Sequence, residues 1–274
     1  MSIFRHLAGS VHAKHIQCAL GPTVQANQSI EDAWELLMTE ADGYDPLSRI
    51  SLVLAGDRPV GYVGFDSLDS SLKDVASVAE PIPADGLVSA DTPVLEIAKL
   101  FSKESRHFYF VLQESQITGT IHYEDLLGPQ FKLCLFALTL ELETTALDLA
   151  LKDPAASWSV LSEGRKRKAM LAYNERYSRD PDAERLPIDQ LLGCTLFIDK
   201  GKILRKRRMI AGGPNEIDSL FGKADRVRNS CAHTDPDKEF VHLLLDRASM
   251  QGFIAKTEGM IASMRRQLRS LAGK

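Results

Sequence analysis

Three residues near the end of the chain, Arg228, Asn229 and His233, have the side chains and the spacing of a site that acts on a phosphate. A guanidinium can hold phosphate oxygens, and a histidine can move a proton at neutral pH. Together they could cut RNA without a metal, through attack of its 2′-hydroxyl on the neighbouring phosphate. Asn229, four residues before His233, would orient the imidazole or the substrate. Because one histidine does not readily serve as acid and base in one step, we expect a homodimer that pairs two such sites.

Other roles for these residues stay open. Arg226 and Arg228 could pair with neighbouring acids, while His233 caps a helix end, where a cation is favoured. The acids within reach in the sequence are Asp225, Asp235 and Asp237. In that case the cluster would be structural.

Cys231 offers two further alternatives beside His233. A thiol nucleophile is not favoured, because residues two apart on a helix diverge and no glycine-rich oxyanion loop precedes them. A metal site that adds His242 and Asp246 is not favoured either, because the spacing matches no familiar ligand set. The sequence therefore predicts no metal site.

The charge of the chain is divided between its halves. Residues 1–128 hold 8 Lys and Arg against 18 Asp and Glu, a net charge of −10, whereas residues 129–274 hold 25 against 19, a net charge of +6. An acidic half does not suggest a polyanion as its partner, and a basic half does. The boundary is placed at Leu127-Gly128-Pro129, where glycine and proline end one element.

Two runs of basic residues stand out in the second half. The first is residues 165–168, and the second comprises Lys202 and the four residues Arg205, Lys206, Arg207 and Arg208. Such runs can follow a phosphate backbone, so residues 205–208 are predicted to contact RNA. No aromatic residues alternate with either run, so base-specific recognition is not expected. The alternative is a solvated surface.

The composition is that of a globular chain without a membrane segment. The 274 residues are 44% hydrophobic, which is enough for one or two domain cores. The longest apolar run, residues 131–142, is interrupted by Lys132 and Glu141, so no bilayer span is expected. Residues 1–10 show no secretory signal, and the four cysteines have neither metal-binding nor disulfide spacing. These features predict a cytoplasmic protein.

Two segments of the first half, residues 27–68 and 87–127, repeat one order of elements. The first predicts a helix over residues 29–37, with Ser29 as its cap, and strands over residues 50–54 and 60–65. Its apolar helix face comprises Ile30, Ala33, Trp34 and Leu37. The second predicts a helix that opens at Asp91 and runs to Phe101, strands over residues 108–112 and 117–121, and a short helix from Tyr123. Each segment thus has a helix followed by two strands.

These segments resemble a tandem pair of cystathionine β-synthase (CBS) domains, and the resemblance implies two β-α-β-β-α units. The string Gly119-Thr120-Ile121-His122-Tyr123-Glu124-Asp125-Leu126 is similar to the family's ending, Gly-hydrophobic-hydrophobic-Ser/Thr-x-x-Asp. The resemblance implies a regulatory module that binds an adenine nucleotide through Gly119, His122 and Asp125, with the aspartate on the ribose hydroxyls. The first copy has Gly64 and Ser67 at the places of His122 and Asp125, so at most one site is expected. A pair that serves only to dimerise, with Asp125 as a helix cap, stays open.

The second half of the chain is predicted to be helical. Apolar residues at three- and four-residue spacing predict helices over residues 131–151, 159–177, 187–200, 216–232 and 239–272. The string Ile217 to His233 is similar to the signature of HEPN domains (higher eukaryotes and prokaryotes nucleotide-binding), with Arg228, Asn229 and His233 at the family's positions. The resemblance implies a four- to five-helix bundle and a metal-independent endoribonuclease site formed across a dimer.

The sequence thus predicts an α/β CBS pair in residues 1–128 followed by an all-α HEPN-like bundle in residues 129–274. The predicted function is an endoribonuclease that needs no cofactor for catalysis and is regulated by an adenine nucleotide. The alternative is a catalytically silent, dimeric, nucleotide-sensing adaptor or RNA-binding protein. Burial of Arg228 in ion pairs would favour the adaptor.

Overall fold

The computed structural model describes residues 3–39, 50–68, 72–103, 106–177, 187–232 and 238–273. The chain forms two compact units: one is His12–Gly128, and in the other Met1–Val11 joins Pro129–Lys274. The first eleven residues, predicted as part of the front domain, therefore lie in the second unit. The reason is that helix α1 (Ile3–Ala8) packs against helix α4 (Pro129–Ala150).

The first repeat is a three-stranded sheet with one helix. Its elements are β1 (Val24–Gln25), α2 (Ile30–Thr39), β2 (Ile50–Ala55), β3 (Arg58–Gly64) and a 3₁₀ turn (Phe65–Ser67). β1 runs parallel to β2, and β3 runs antiparallel to it. The hairpin turns tightly at Gly56, whose φ of +65° suits a residue without a side chain.

The second repeat has the same order and topology. Its elements are β4 (Leu87–Ser89), α3 (Val94–Lys103), β5 (Phe108–Gln113), β6 (Gln116–His122) and a 3₁₀ turn (Tyr123–Leu127). β4 is parallel to β5, and β6 is antiparallel to it. The short helix predicted from Tyr123 is present, as a 3₁₀ turn and not as an α-helix, and α4 begins at Pro129 directly after Gly128.

Helix α2 shows how each repeat builds its core. The Ser29 hydroxyl accepts the Asp32 N–H at 3.1 Å, which caps the helix as predicted. Ile30, Ala33 and Leu37 are buried, but Trp34 is 45% exposed. Of the four residues predicted to share the apolar face, Trp34 therefore stands at its edge, where it lines an open surface cavity.

Each sheet is crossed by a segment from outside its own repeat. The 3₁₀ turn Ala13–His15 lies on the second repeat, where the Ala13 N–H donates to the Thr92 carbonyl. The 3₁₀ turn Val75–Ser77 lies on the first repeat, where the Val75 N–H donates to the Gln28 carbonyl. Ala13 and Val75 are both fully buried, so these crossings are part of the two cores.

The second unit contains only helices in its described part. After α4 come α5 (Pro154–Ser159), α6 (Glu163–Tyr177), α7 (Ile188–Gly193), α8 (Phe197–Lys206), α9 (Pro214–Ala232), α10 (Lys238–Leu245) and α11 (Arg247–Ala272). Helix α4 is central, because α1, α8, α9 and α11 all pack on it. Within the described ranges, no helix is both long enough and apolar enough to cross a bilayer.

Three predicted helices are wrong in their extent. The one over residues 159–177 starts only at Glu163, and the one over residues 187–200 is broken between α7 and α8. The one over residues 239–272 is broken at Asp246, whose side chain accepts the Ala248 and Ser249 N–H groups and so starts α11. Apolar spacing continues across these breaks, which is why periodicity alone does not reveal them.

Candidate functional site

The Asp125 carboxylate lies in the 3₁₀ turn that follows β6. One oxygen, Oδ2, accepts the backbone N–H of His122 at 2.7 Å, so Asp125 does cap its own turn. The other oxygen, Oδ1, accepts the thiol of Cys18 at 3.3 Å. A thiol is a weak donor. The carboxylate is therefore fixed in place by the backbone, while one of its oxygens is only weakly engaged.

Cys18 reaches Asp125 through a backbone bridge to β6. The Cys18 N–H donates to the Thr120 carbonyl at 2.8 Å, and the Thr120 N–H donates to the Cys18 carbonyl at 3.0 Å. Burial, together with the hydrogen bond to Asp125, raises the pKa of Cys18 to about 11, so the thiol stays protonated and remains a donor. Sequence reasoning missed Cys18, because no local pattern connects residues so far apart in the chain.

Gly119, predicted to bind the nucleotide, has a steric reason to be glycine. A Cβ at this position would lie 2.5 Å from the Cys18 carbonyl oxygen and 3.0 Å from the Gln17 side chain. The close approach of the crossing segment therefore requires a residue without a side chain. The structure assigns Gly119 to this backbone contact.

His122 is a neutral, half-buried neighbour of Asp125. Burial lowers the pKa of His122, although the carboxylates of Asp125 and Glu124 oppose the shift. The imidazole lies 5.5 Å from the Phe108 ring, centroid to centroid. An uncharged imidazole can donate or accept a hydrogen bond, but it brings no positive charge to a phosphate.

The first repeat builds the same backbone bridge with other side chains. Tyr62 and Glu80 exchange both backbone hydrogen bonds, and a Cβ at Gly61 would lie 2.6 Å from the Glu80 carbonyl oxygen. The Glu80 carboxylate accepts the Tyr62 hydroxyl, and burial with this bond raises the pKa of Tyr62 to about 12. Ser67 stands where the second repeat has Asp125, so this position of the first repeat carries no carboxylate.

Arg228, the centre of the predicted ribonuclease site, is held by acids of its own unit. Its guanidinium donates to Glu143 Oε2 and to Asp225 Oδ1, each at 2.9 Å. The guanidinium carbon also lies 5.4 Å from the centre of the Phe197 ring. Pairing with Asp225 is one of the structural alternatives that the sequence left open, and the structure confirms it.

Glu143 joins Arg228 to a second cation inside the unit. Its Oε1 accepts the Lys200 ammonium at 2.9 Å, and the same ammonium donates to the Thr195 carbonyl at 2.8 Å. The Lys200 side chain is only 2% exposed. Burial would raise the pKa of Glu143, but Lys200 and Arg228 together lower it, so the carboxylate stays charged between two cations.

Comparison with known families identifies the region that contains Asp125. Residues 72–129 match the family model of the CBS domain. The N-terminal half of the chain contains a CBS-type α/β domain. The matched range covers the second repeat and includes all three predicted nucleotide-binding residues, Gly119, His122 and Asp125.

Several solved CBS structures resemble this half of the chain. The CBS domain of a bacterial CNNM/CorC family Mg²⁺ transporter, in complex with ATP, is 17% identical, with a TM-score of 0.35, over 45% of this chain and 92% of the other. A hemolysin-like CBS protein of Oenococcus oeni is 18% identical, with a TM-score of 0.33, over 46% and 96%. A conserved CBS protein of unknown function from Thermoplasma acidophilum is 19% identical, with a TM-score of 0.34, over 46% and 75%. A search of the curated proteins found no match.

Outside the CBS domain, only part of the predicted ribonuclease site can be placed. Asn229 is exposed, and its side-chain oxygen accepts the Arg228 guanidinium at 3.1 Å. His233 lies outside the described residues, as do Asp235 and Asp237. Burial raises the pKa of Cys231 to about 11, which disfavours it as a nucleophile. Within the described ranges, no three His, Cys, Asp or Glu residues group as metal ligands.

The predicted RNA-binding run, Arg205 to Arg208, is largely engaged in the fold. Arg207 donates to the Asp153 carbonyl at 3.0 Å and to the Ser157 hydroxyl at 2.6 Å. Lys206 donates to the Val160 carbonyl at 2.8 Å, and Arg205 forms an ion pair with Asp218. Arg208 is exposed at the end of α8. Arg205, Lys206 and Arg207 thus point to different partners, and the run does not form one continuous basic track.

Proposed function

We propose that this protein is a regulatory adaptor that senses an adenine nucleotide through Asp125 and passes the signal to its helical unit. The observation that supports this most is the state of the Asp125 carboxylate. His122 holds one oxygen through its backbone N–H, and Cys18 engages the other through a thiol. A ribose diol is a stronger donor than a thiol and can take that place.

The position of this carboxylate within the CBS domain adds to the argument. Asp125 matches the family position that holds ribose hydroxyls, and Ser67 at the same place in the first repeat has no charge. We therefore propose one nucleotide site per chain, in the second repeat. The neutral His122 would contact the ligand by hydrogen bonding and not by charge.

The surroundings of Arg228 favour an adaptor over a ribonuclease. A catalytic arginine must be able to turn its donors to the phosphate, and the donors of Arg228 already meet Glu143 and Asp225. Breaking both ion pairs would take from Glu143 one of its two cations and would separate Asp225 from Arg228. We propose that this cluster holds α4, α8 and α9 together, and that the adaptor acts as a homodimer.

Titration of the full chain with AMP, ADP and ATP by isothermal calorimetry tests the nucleotide site. We expect saturable binding by the wild type, and affinity at least about tenfold lower in Asp125→Asn, because a charged acceptor for the ribose is lost. Asparagine keeps an oxygen that can cap the turn. The matched controls are Glu124→Gln next door and Ser67→Ala in the first repeat, and both should bind as the wild type does.

Two results would contradict this proposal. Absence of binding by the wild type would leave a CBS pair that serves only to dimerise. If Asp125→Asn binds the nucleotide as tightly as the wild type does, the nucleotide site lies elsewhere.

An RNA-cleavage assay in the presence of EDTA tests the adaptor against the ribonuclease. We expect no cutting of a mixed RNA pool by the wild type or by His233→Ala, with or without the nucleotide. Cutting by the wild type that disappears in His233→Ala would replace the adaptor with the ribonuclease.

A further inference from the structure

A cavity in the helical unit brings together the two basic runs of the sequence. It has a volume of about 260 Å³, and Arg165 of α6 and the face of α8 that carries Asp199, Lys202 and Lys206 line it. We call it the α6–α8 cavity. It lies at the small end of ligand pockets, so it suits a compact molecule and not an extended polymer.

The charge on its walls is positive. Arg165, Lys202, Arg205 and Lys206 all line the cavity, against one acidic residue, Asp199. Within the described residues, Lys202 forms no hydrogen bond and no ion pair. Lys206 donates to a backbone carbonyl, which leaves its charge uncompensated. Cations gathered in a concave site raise the local concentration of an anion.

Asp199 adds an acceptor to this basic cavity. It is 2% exposed, and its Oδ1 accepts no hydrogen bond within the described residues, although Arg165 Nε lies 3.4 Å away. Arg165 forms an ion pair with this oxygen and compensates its charge, but the oxygen still lacks a hydrogen-bond donor in the described part of the chain, which is uncommon for a buried acceptor. A hydroxyl on a bound molecule would satisfy this oxygen.

We infer that the α6–α8 cavity binds a small phosphorylated molecule that also carries a hydroxyl group, of the sugar-phosphate class. Lys202 and Lys206 hold the phosphate, and Asp199 accepts the hydroxyl. Arg165, next to Asp199, prevents its charge from repelling the phosphate. This site lies in the helical unit, and it is independent of the nucleotide proposed at Asp125.

RNA is the other phosphate-bearing ligand that basic residues suggest, and the geometry favours it less. A strand needs cations along a track, whereas Arg207 turns away to Asp153 and Ser157. Arg205 pairs with Asp218 beside the cavity. What remains is one concave cluster, which is the size of a single phosphorylated group.

Calorimetric titration with inorganic phosphate, ribose 5-phosphate and a short single-stranded RNA tests the inference. Lys202→Ala is the informative variant, because it breaks no hydrogen bond or ion pair among the described residues. We expect it to weaken binding of both small phosphates about tenfold, through loss of one charge-assisted contact. Lys168→Ala removes an exposed cation from the same unit and should bind as the wild type does.

A second pair of comparisons separates this site from the others. Ribose 5-phosphate should bind the wild type more tightly than inorganic phosphate, and Asp199→Asn should reduce that preference. Asp125→Asn, in the other unit, should leave binding unchanged. Failure of either small phosphate to bind, or wild-type affinity in Lys202→Ala, would overturn the inference. RNA that binds through Lys202 when ribose 5-phosphate does not would overturn it in favour of nucleic acid.

Discussion

Asp125 and Arg228 are both charged residues within recognisable motifs, and the fold gives them opposite surroundings. Asp125 has one backbone donor and one weak thiol donor, and it has no ion pair within the described residues. Arg228 has two carboxylates and an aromatic ring against its guanidinium. The first can exchange a partner for a ligand at low cost, whereas the second must give up charge–charge contacts to do so.

This difference shows how a motif residue can be assigned. The motif gives the residue type, but the strength of the existing partners decides whether the side chain is available. The prediction at Glu143 tests that rule directly, and the predictions at Gly119 and His122 test the surroundings of Asp125.

Glu143→Gln should cause the largest loss of stability. It removes the negative charge between Arg228 and Lys200, and Lys200 then stays buried without a counter-charge. We expect the free energy of unfolding to fall by about 3 kcal/mol, as measured by urea denaturation.

Glu163→Gln is the matched control, because Glu163 pairs with Lys166 on the surface and is 87% exposed. This variant should lower the free energy of unfolding by less than about 0.5 kcal/mol. If the two variants lose the same stability, Arg228 and its partners are not a structural cluster, and the comparison with Asp125 fails.

Gly119→Ala should lower the free energy of unfolding by about 2 kcal/mol, because the new methyl group would press on the Cys18 carbonyl and separate the crossing segment from β6. Gly61→Ala should behave alike, since its Cβ would meet the Glu80 carbonyl. Gly64→Ala is the control: its nearest atom would be 3.8 Å away, so a change within about 0.5 kcal/mol is expected. Thermal denaturation of the three variants measures this. If Gly119→Ala keeps its stability but loses nucleotide binding, Gly119 contacts the ligand instead.

The smallest effect should be the dependence of stability on pH that His122 causes. Burial lowers its pKa in the folded chain below the unfolded value of about 6.5, so the unfolded chain binds the proton first as the pH falls. The contribution of neutral His122 to stability is therefore complete above the unfolded pKa, and it is lost as the pH falls through the folded pKa. Urea denaturation at about pH 7.5 and pH 5.5 should show a smaller loss in His122→Phe than in the wild type. An equal loss in both would show that His122 does not sense the pH.

The repeat and its elements could be predicted from the sequence. Alternating strands, the Ser29 cap and turn residues at Gly56 act over a few neighbours, so the helix and the two strands after it follow from local pattern in both units. The short opening strands, β1 and β4, did not follow from it. The end of the closing turn could be predicted as well, because Gly128 and Pro129 follow it directly in the sequence. Its 3₁₀ geometry could not be predicted. Most of the helices were visible for the same local reason, while the break at Asp246 depends on a cap within an unbroken apolar pattern.

By itself, the sequence determined the two-part character of the chain, the CBS repeat and the residues that carry charge. Only the tertiary structure decided what those charges meet. Cys18 comes to Asp125, Glu143 comes to Arg228, and Arg165 comes to Lys202, each from a distant part of the chain. Local patterns specify elements because they act through neighbouring residues. The partners of a charged group depend on how those elements pack, and no local pattern encodes that.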